Sequence, residues 1–122
     1  MSEGGGSYQE LVVWQQAMDL AVAAYAATKT WPKEELYGLT SQVRRAATSV
    51  PANIAEGYGR EHRGSYLQFL RIAQGSLKEL ETHLLIAARV GVADGRSLTP
   101  LMRMVESVGK LLRLLIQKLA AT

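Results

Sequence analysis

The spacing Tyr66, Leu70, Ala73, Leu77, Leu80, Leu84, Ala87, in alternating steps of four and three, constrains this chain more than any other feature. A seam of that period lines one side of a helix, whereas a strand would need its faces to alternate at every second residue. It predicts a helix over about residues 65–90, closed by Gly91. The same three-and-four spacing recurs along almost the whole chain, and period-two alternation is never sustained, so the chain reads as all-α.

Three more helices follow from the same reading. The first runs over about 11–29, with Leu11, Trp14, Met18, Val22 and Tyr25 on one face. Alanines at 21, 23, 24, 26 and 27 permit close approach of neighbours. "TWPKEE" ends it, because the residue before Pro32 is pushed out of helical geometry. The second covers about 36–58, with a stripe of Leu39, Val43, Ala46 and Val50 and an end marked by Gly57 and Gly59. The fourth opens where Thr99 can cap and Pro100 fits the first turn. Its polar side is Arg103, Glu106, Lys110, Arg113 and Gln117. Its apolar arc, from Met104 and Leu111 round to Ile116, spans about 180°, wider than the roughly 100° one core requires. Leu114 falls among the polar residues. Four helices on short loops predict an antiparallel up-and-down four-helix bundle. The surplus arc predicts either deeper packing or a subunit interface.

The chain has 122 residues, enough for one domain with a substantial core. "MSEGGGS" reads as a flexible tail over residues 1–7, leaving the bundle to residues 8–122. No export signal is visible. With no cysteine, disulfides and thiolate metal sites are excluded and packing must supply stability, which fits the cytoplasm. No apolar run approaches the roughly 20 residues that span a bilayer, so no membrane partner is expected.

The sequence carries no catalytic constellation. Di-iron bundles need Glu-x-x-His on two helices, and Glu56, Glu79 and Glu81 are followed three residues on by Gly59, Thr82 and Leu84. Glu79 and His83 share a helix face, but two ligands without a third read as a surface pair. "GYGREHRG" follows a helix and lacks the Gly-Lys-Ser ending of a phosphate loop. No Gly-x-Ser-x-Gly is present. The expectation is a protein that is not an enzyme and uses no metal or cofactor.

Binding remains. The formal charge is +3, with the basic excess in the last third of the chain. Arg60, His62 and Arg63 lie around the joint of helices two and three, followed by Arg71 and Lys78. Arg44, Arg45 and Thr48 lie opposite the second helix's stripe and should face out. Outward arginines can donate forked hydrogen bonds to phosphates, although Ser41, Arg45, Thr48 and Ser49 equally make an ordinary polar face. The candidate nucleic-acid contacts are Arg44, Arg45, Arg60, Arg63 and Arg71. Asn53 lies near the middle of the apolar stripe, where an amide needs partners: backbone carbonyls or a hydroxyl such as Ser76, with Gly75 allowing close approach, or else a ligand. Pro51 cannot donate to the carbonyl of Ala47 and crowds it, so the second helix should continue with a kink, Thr48 and Ser49 helping to satisfy the freed carbonyl groups.

"VWQQAMDLAVAAY", "YGLTSQVRRAATSVPANIAEGYGR" and "FLRIAQGSLKELETHLLIA" together resemble the bacterial four-helix-bundle family encoded by intervening sequences of 23S ribosomal RNA genes. The resemblance covers about residues 8–92; the last helix matches only as a pattern. It implies an up-and-down bundle assembled as a homopentamer, and no enzymatic reaction. The chain is more distantly similar to the accessory proteins of diversity-generating retroelements, basic pentameric bundles that partner a reverse transcriptase and bind nucleic acid. Arg44, Arg45 and Arg60 stand in family-like places, while His62 and Arg63 lie where the family varies. Two functions follow as expectations: weak binding of RNA or DNA backbone by a cytoplasmic homo-oligomer, or a scaffold for a protein partner.

Overall fold

The computed structural model describes residues 7–121. Of the tail expected over residues 1–7, only Ser7 falls among them. Its hydroxyl accepts from the Gln9 amide at 3.1 Å and caps a short 3-10 turn, Tyr8–Glu10. The described residues form four α-helices and no strand: α1 (Val12–Thr28), α2 (Leu39–Tyr58), α3 (Arg63–Arg89) and α4 (Thr99–Ala120). α2 begins three residues later than its apolar pattern suggests. Lys33–Glu35 winds as a 3-10 turn, and the Glu35 carboxylate accepts the Leu39 amide at 3.1 Å, starting the helix there. At the end of α3, Gly91 takes φ +80°. The amides of Gly91 and Val92 then return to the carbonyls of Ala88 and Ala87, the paired bonds of a Schellman closure.

Each helix touches two others. α2 lies against α1 and α3, and α4 closes onto both α3 and α1, while the α1–α3 and α2–α4 backbones do not approach each other. The α3 seam is the core face its spacing predicts: Leu70, Ala73, Leu77, Leu80, Leu84 and Ala87 are buried and Tyr66 is partly so. α4 buries Leu101, Val105, Val108, Leu112 and Ile116, with Met104, Leu111 and Leu115 packed at the margin. Most of its wide apolar arc is thus absorbed by packing, and Leu114 stands out at 61% exposure. Burying a side chain such as Leu80 or Leu112 contributes roughly 1.5–3 kcal/mol.

α1 corrects the sequence reading. Its buried face is Val13, Ala17, Leu20, Ala21, Ala24 and Thr28, whereas Met18, Val22 and Tyr25 are 38, 64 and 43% exposed. Ala17, Ala21 and Ala24 turn inward beside Val13 and Leu20, where short side chains let neighbouring helices pack close, while Ala26 is exposed and Met18, Val22 and Tyr25 fall on the outer face. Thr99 is also corrected. It is the first residue of α4 with no capping role, its hydroxyl reaching the Gly95 carbonyl at 3.4 Å.

α2 runs without interruption through Pro51. The neighbouring hydroxyls do not serve the Ala47 carbonyl, contrary to expectation. Thr48 donates to the carbonyls of Arg44 and Arg45 at 2.9 and 3.1 Å, and Ser49 faces Ser76 of α3 at 2.7 Å. Asn53 donates from Nδ2 to the Ser49 carbonyl and hydroxyl at 2.8 and 2.9 Å, so its amide joins a hydrogen-bonded link between α2 and α3. α2 ends where the glycines mark it, at Tyr58 with Gly59 as its C-cap, and Gly57 lies in the last turn. Gly57 is buried inside the helix, where a Cβ would stand 2.8 Å from Phe69 Cβ and 3.0 Å from Tyr66 Cδ1. Gly75, read as the point of close approach, has open space around it.

Candidate nucleic-acid interface

The polar faces of α3 and α4 meet along a groove of about 840 Å³. Arg71 and Lys78, seven residues apart on α3, line one wall; Arg103, Lys110 and Arg113 line the other. Two carboxylates, Glu81 and Glu106, share it. Lys78 Nζ lies 3.5 Å from Glu81 Oε1, an exposed contact that adds little stability. Arg71, Arg103, Lys110 and Arg113 make no ion pair among the described residues and are exposed. Gly75 and Gly109 keep the groove open between these chains, and a Cβ on Gly109 would sit 3.4 Å from Leu77 Cδ2. Cations spaced along a groove with donors free suit a chain of phosphates, because each phosphate they neutralise releases counterions.

The other arginines read from the sequence lie elsewhere. Arg44 is half-buried rather than facing out: its Nε donates to Thr28 Oγ1 at 2.9 Å, and its guanidinium lies 4.7 Å above the centre of the Tyr25 ring. Arg45 is exposed beside it. Arg60 pairs with Glu56 at 2.6 Å and lies 4.9 Å above the Phe69 ring. Arg63 opens α3 and is exposed. Of the five candidates, only Arg71 lies in the basic groove. The groove's other cations, Lys78, Arg103, Lys110 and Arg113, had a signal in the sequence, since α4's polar side carries three of them at helical spacing. The missing fact was that this side faces Arg71 and Lys78 of α3 across the groove.

A second groove, about 480 Å³, lies between α1 and α2 and is almost wholly apolar. Trp14, Met18, Val22 and Tyr25 rise on the α1 side, and Pro51, Ala52 and Ala55 form the α2 side. Glu79 and His83, read as a surface pair, stand with Oε2 and Nε2 4.0 Å apart, beyond hydrogen-bond distance. Among the described residues no three His, Asp or Glu side chains converge as metal ligands, and no helix is long and apolar enough to cross a membrane.

The model of the 23S rRNA-intervening sequence protein family matches residues 9–114. A crystal structure of a Bacteroides thetaiotaomicron protein of unknown function, from the S23 ribosomal protein family, superposes with a TM-score of 0.77 at 23% identity. The alignment covers 86% of this chain and 98% of that one. No curated protein matches the chain.

Proposed function

The chain belongs to the 23S rRNA-intervening sequence protein family, and from that membership we propose a non-enzymatic, cytoplasmic homo-oligomer that binds the phosphate backbone of RNA or DNA. Its subunit is an antiparallel up-and-down four-helix bundle with α2 kinked at Pro51. The antiparallel order is supported by paired positions on α2 and α3. Ser49 meets Ser76, while Gly57, further along α2, meets Tyr66 and Phe69, further back on α3.

The basic groove between α3 and α4 carries the functional reading. Four unpaired cations face a single carboxylate not already engaged, Glu106. Arg44, Arg45, Arg60 and Arg63 supply flanking contacts on the same nucleic acid. If each free groove cation meets one phosphate of a duplex, the groove alone contributes about −3.6 to the salt slope, a roughly 150-fold fall in affinity between 50 and 200 mM salt. Gel shifts at low and moderate salt test this. The triple variant Arg71→Ala, Arg103→Ala, Arg113→Ala should bind more weakly, with a slope smaller in magnitude by about 2.7. Binding indifferent to both salt and these substitutions overturns the reading.

The apolar groove between α1 and α2 supports self-association, since exposed Met18, Val22 and Tyr25 form a patch that a second copy can cover. The resemblance to pentameric bundles sets the proposed number at five, a particle of five times 13.3 kDa, about 66 kDa, with a net charge of about +15. Light scattering giving 13.3 kDa would sink this part. The same patch supports the alternative of a protein-interaction scaffold. A partner held after nuclease treatment, together with no salt-sensitive binding of RNA or DNA, selects that alternative.

A further inference from the structure

A third cleft, of about 390 Å³, lies where the loop before α2 meets α1 and the first turns of α2. It gathers Tyr25, Tyr37, Ser41, Arg44, Arg45 and Thr48. Tyr37 is 94% exposed, the most solvated large apolar or aromatic side chain among the described residues. It sits on a braced turn: the Gly38 amide donates to the Glu35 carbonyl at 2.9 Å, and the Glu35 carboxylate accepts the Leu39 amide. Its ring is therefore presented from a fixed backbone and packs against nothing that would explain its place.

The opposite side of the cleft is also held in place. Thr28 is buried, with its hydroxyl 2.9 Å from the Ala24 carbonyl, and it receives Nε of Arg44. Tyr25 supports the same guanidinium from below. Nε is engaged, the Nη groups make no hydrogen bond among the described residues, and Ser41 and the exposed Arg45 line the same cleft. One exposed ring, two guanidiniums and a hydroxyl match the parts of a single nucleotide: a base with a π-face, a phosphate, and a sugar hydroxyl. A base within a duplex offers no free face to Tyr37.

We propose that this cleft binds one unstacked nucleotide of single-stranded RNA, its base stacked on Tyr37 and its phosphate held by Arg44 and Arg45. The inference rests on the nucleic-acid reading above and narrows it from any phosphate backbone to a strand with accessible bases. The basic groove tracks the backbone without regard to strandedness, and the cleft supplies the preference.

The test is fluorescence anisotropy with a labelled oligouridylate and a labelled RNA duplex of the same length, at matched salt. Wild type should favour the single strand. Tyr37→Leu should weaken single-strand binding roughly 5- to 150-fold, the range for losing one base–aromatic stack, while leaving duplex binding within twofold. Tyr37→Phe should bind as wild type, because the ring is kept. Arg45→Ala should reduce the single-strand salt slope by about 0.7. Tyr37 is so exposed that neither of its substitutions threatens folding. Tyr37→Leu binding both RNAs as wild type, or losing both equally, overturns the cleft while the groove reading stands. A change of particle mass in Tyr37→Leu also overturns it, assigning the ring to a protein interface. Wild type that binds neither RNA overturns the groove reading and the cleft together.

Discussion

Gly57→Ala is expected to destabilise the protein even though alanine is the better helix former. In an open helical position the exchange gains roughly 0.5–1 kcal/mol, from reduced backbone freedom in the unfolded chain and better helix propensity. At Gly57 the new methyl would meet Phe69 Cβ at 2.8 Å, Tyr66 Cδ1 at 3.0 Å and the Tyr66 carbonyl oxygen at 3.2 Å. Two of these atoms are a Cβ and a backbone oxygen, which cannot swing aside, so α2 and α3 must separate by several tenths of an ångström. Overpacking of that kind costs typically 1–3 kcal/mol, and three simultaneous contacts place it in the upper half of the range. The net loss is about 1–2.5 kcal/mol, or roughly 4–10 °C in Tm for a chain of this length. Gly75→Ala is the matched control: the same helix type, the same chemistry and nothing within 4 Å, so it should gain about 0.5–1 kcal/mol. Thermal unfolding by circular dichroism at one fixed protein concentration reads both. If Gly57→Ala is as stable as Gly75→Ala, the helices are not held at this spacing and the reasoning fails.

Leu80→Ala, at a fully buried position on α3, should cost about 2–5 kcal/mol in urea unfolding, while Leu114→Ala should fall within about 0.5 kcal/mol of wild type. Ser49→Ala and Ser76→Ala should each cost about 1–3 kcal/mol by stranding a partner, and the double variant less than their sum; additive costs would mean the 2.7 Å contact couples nothing. Burial, and then the neighbouring Tyr58, raise the Tyr66 pKa above its ordinary value of 10.0. The folded chain therefore keeps a proton that the unfolded chain loses: stability is flat below about pH 10 and falls as pH rises beyond it, and Tyr66→Phe should flatten that part of the curve. Pro51→Ala restores an amide beneath the Ala47 carbonyl and removes the ring from the apolar groove, so light scattering should show a smaller particle. An unchanged mass would refute a shape-setting role for Pro51.

Periodicity carried the fold where large side chains mark the core. The α3 seam is legible because leucines occupy it, and burial follows the spacing. On α1 the same rule misled, because size and burial are uncoupled there: helices that approach closely bury alanine, and apolar bulk then signals a surface. No hydropathy count separates these cases, since both faces of α1 are apolar. Gly57 shows a related limit. Gly57 and Gly59 read as a helix end, and α2 does end there, but the spacing gave no sign that Phe69 of another helix occupies the room a Gly57 side chain would need. The arginines were visible as residues but not as a site. Outward projection was read for Arg44 from its own helix alone, and the contacts that turn it back, Tyr25 and Thr28, belong to α1.

The two main grooves use different helices, and that division bears on how assembly and binding coexist. The apolar groove is built from α1 and α2, the basic groove from α3 and α4. Covering the first with a second subunit therefore leaves the second open, and self-association would multiply the basic grooves rather than consume them. Modest charge per chain then suffices, because linked weak sites raise the effective concentration of phosphate at each one. The nucleotide cleft is placed differently: it shares Tyr25 and Thr48 with the apolar groove and so lies at its edge. A subunit seated on Met18 and Val22 would border the cleft without filling it, and single-strand binding should then stabilise the assembly. Measuring particle mass at dilution with and without oligouridylate separates the cases. A mass that falls equally in both means the cleft and the interface are independent.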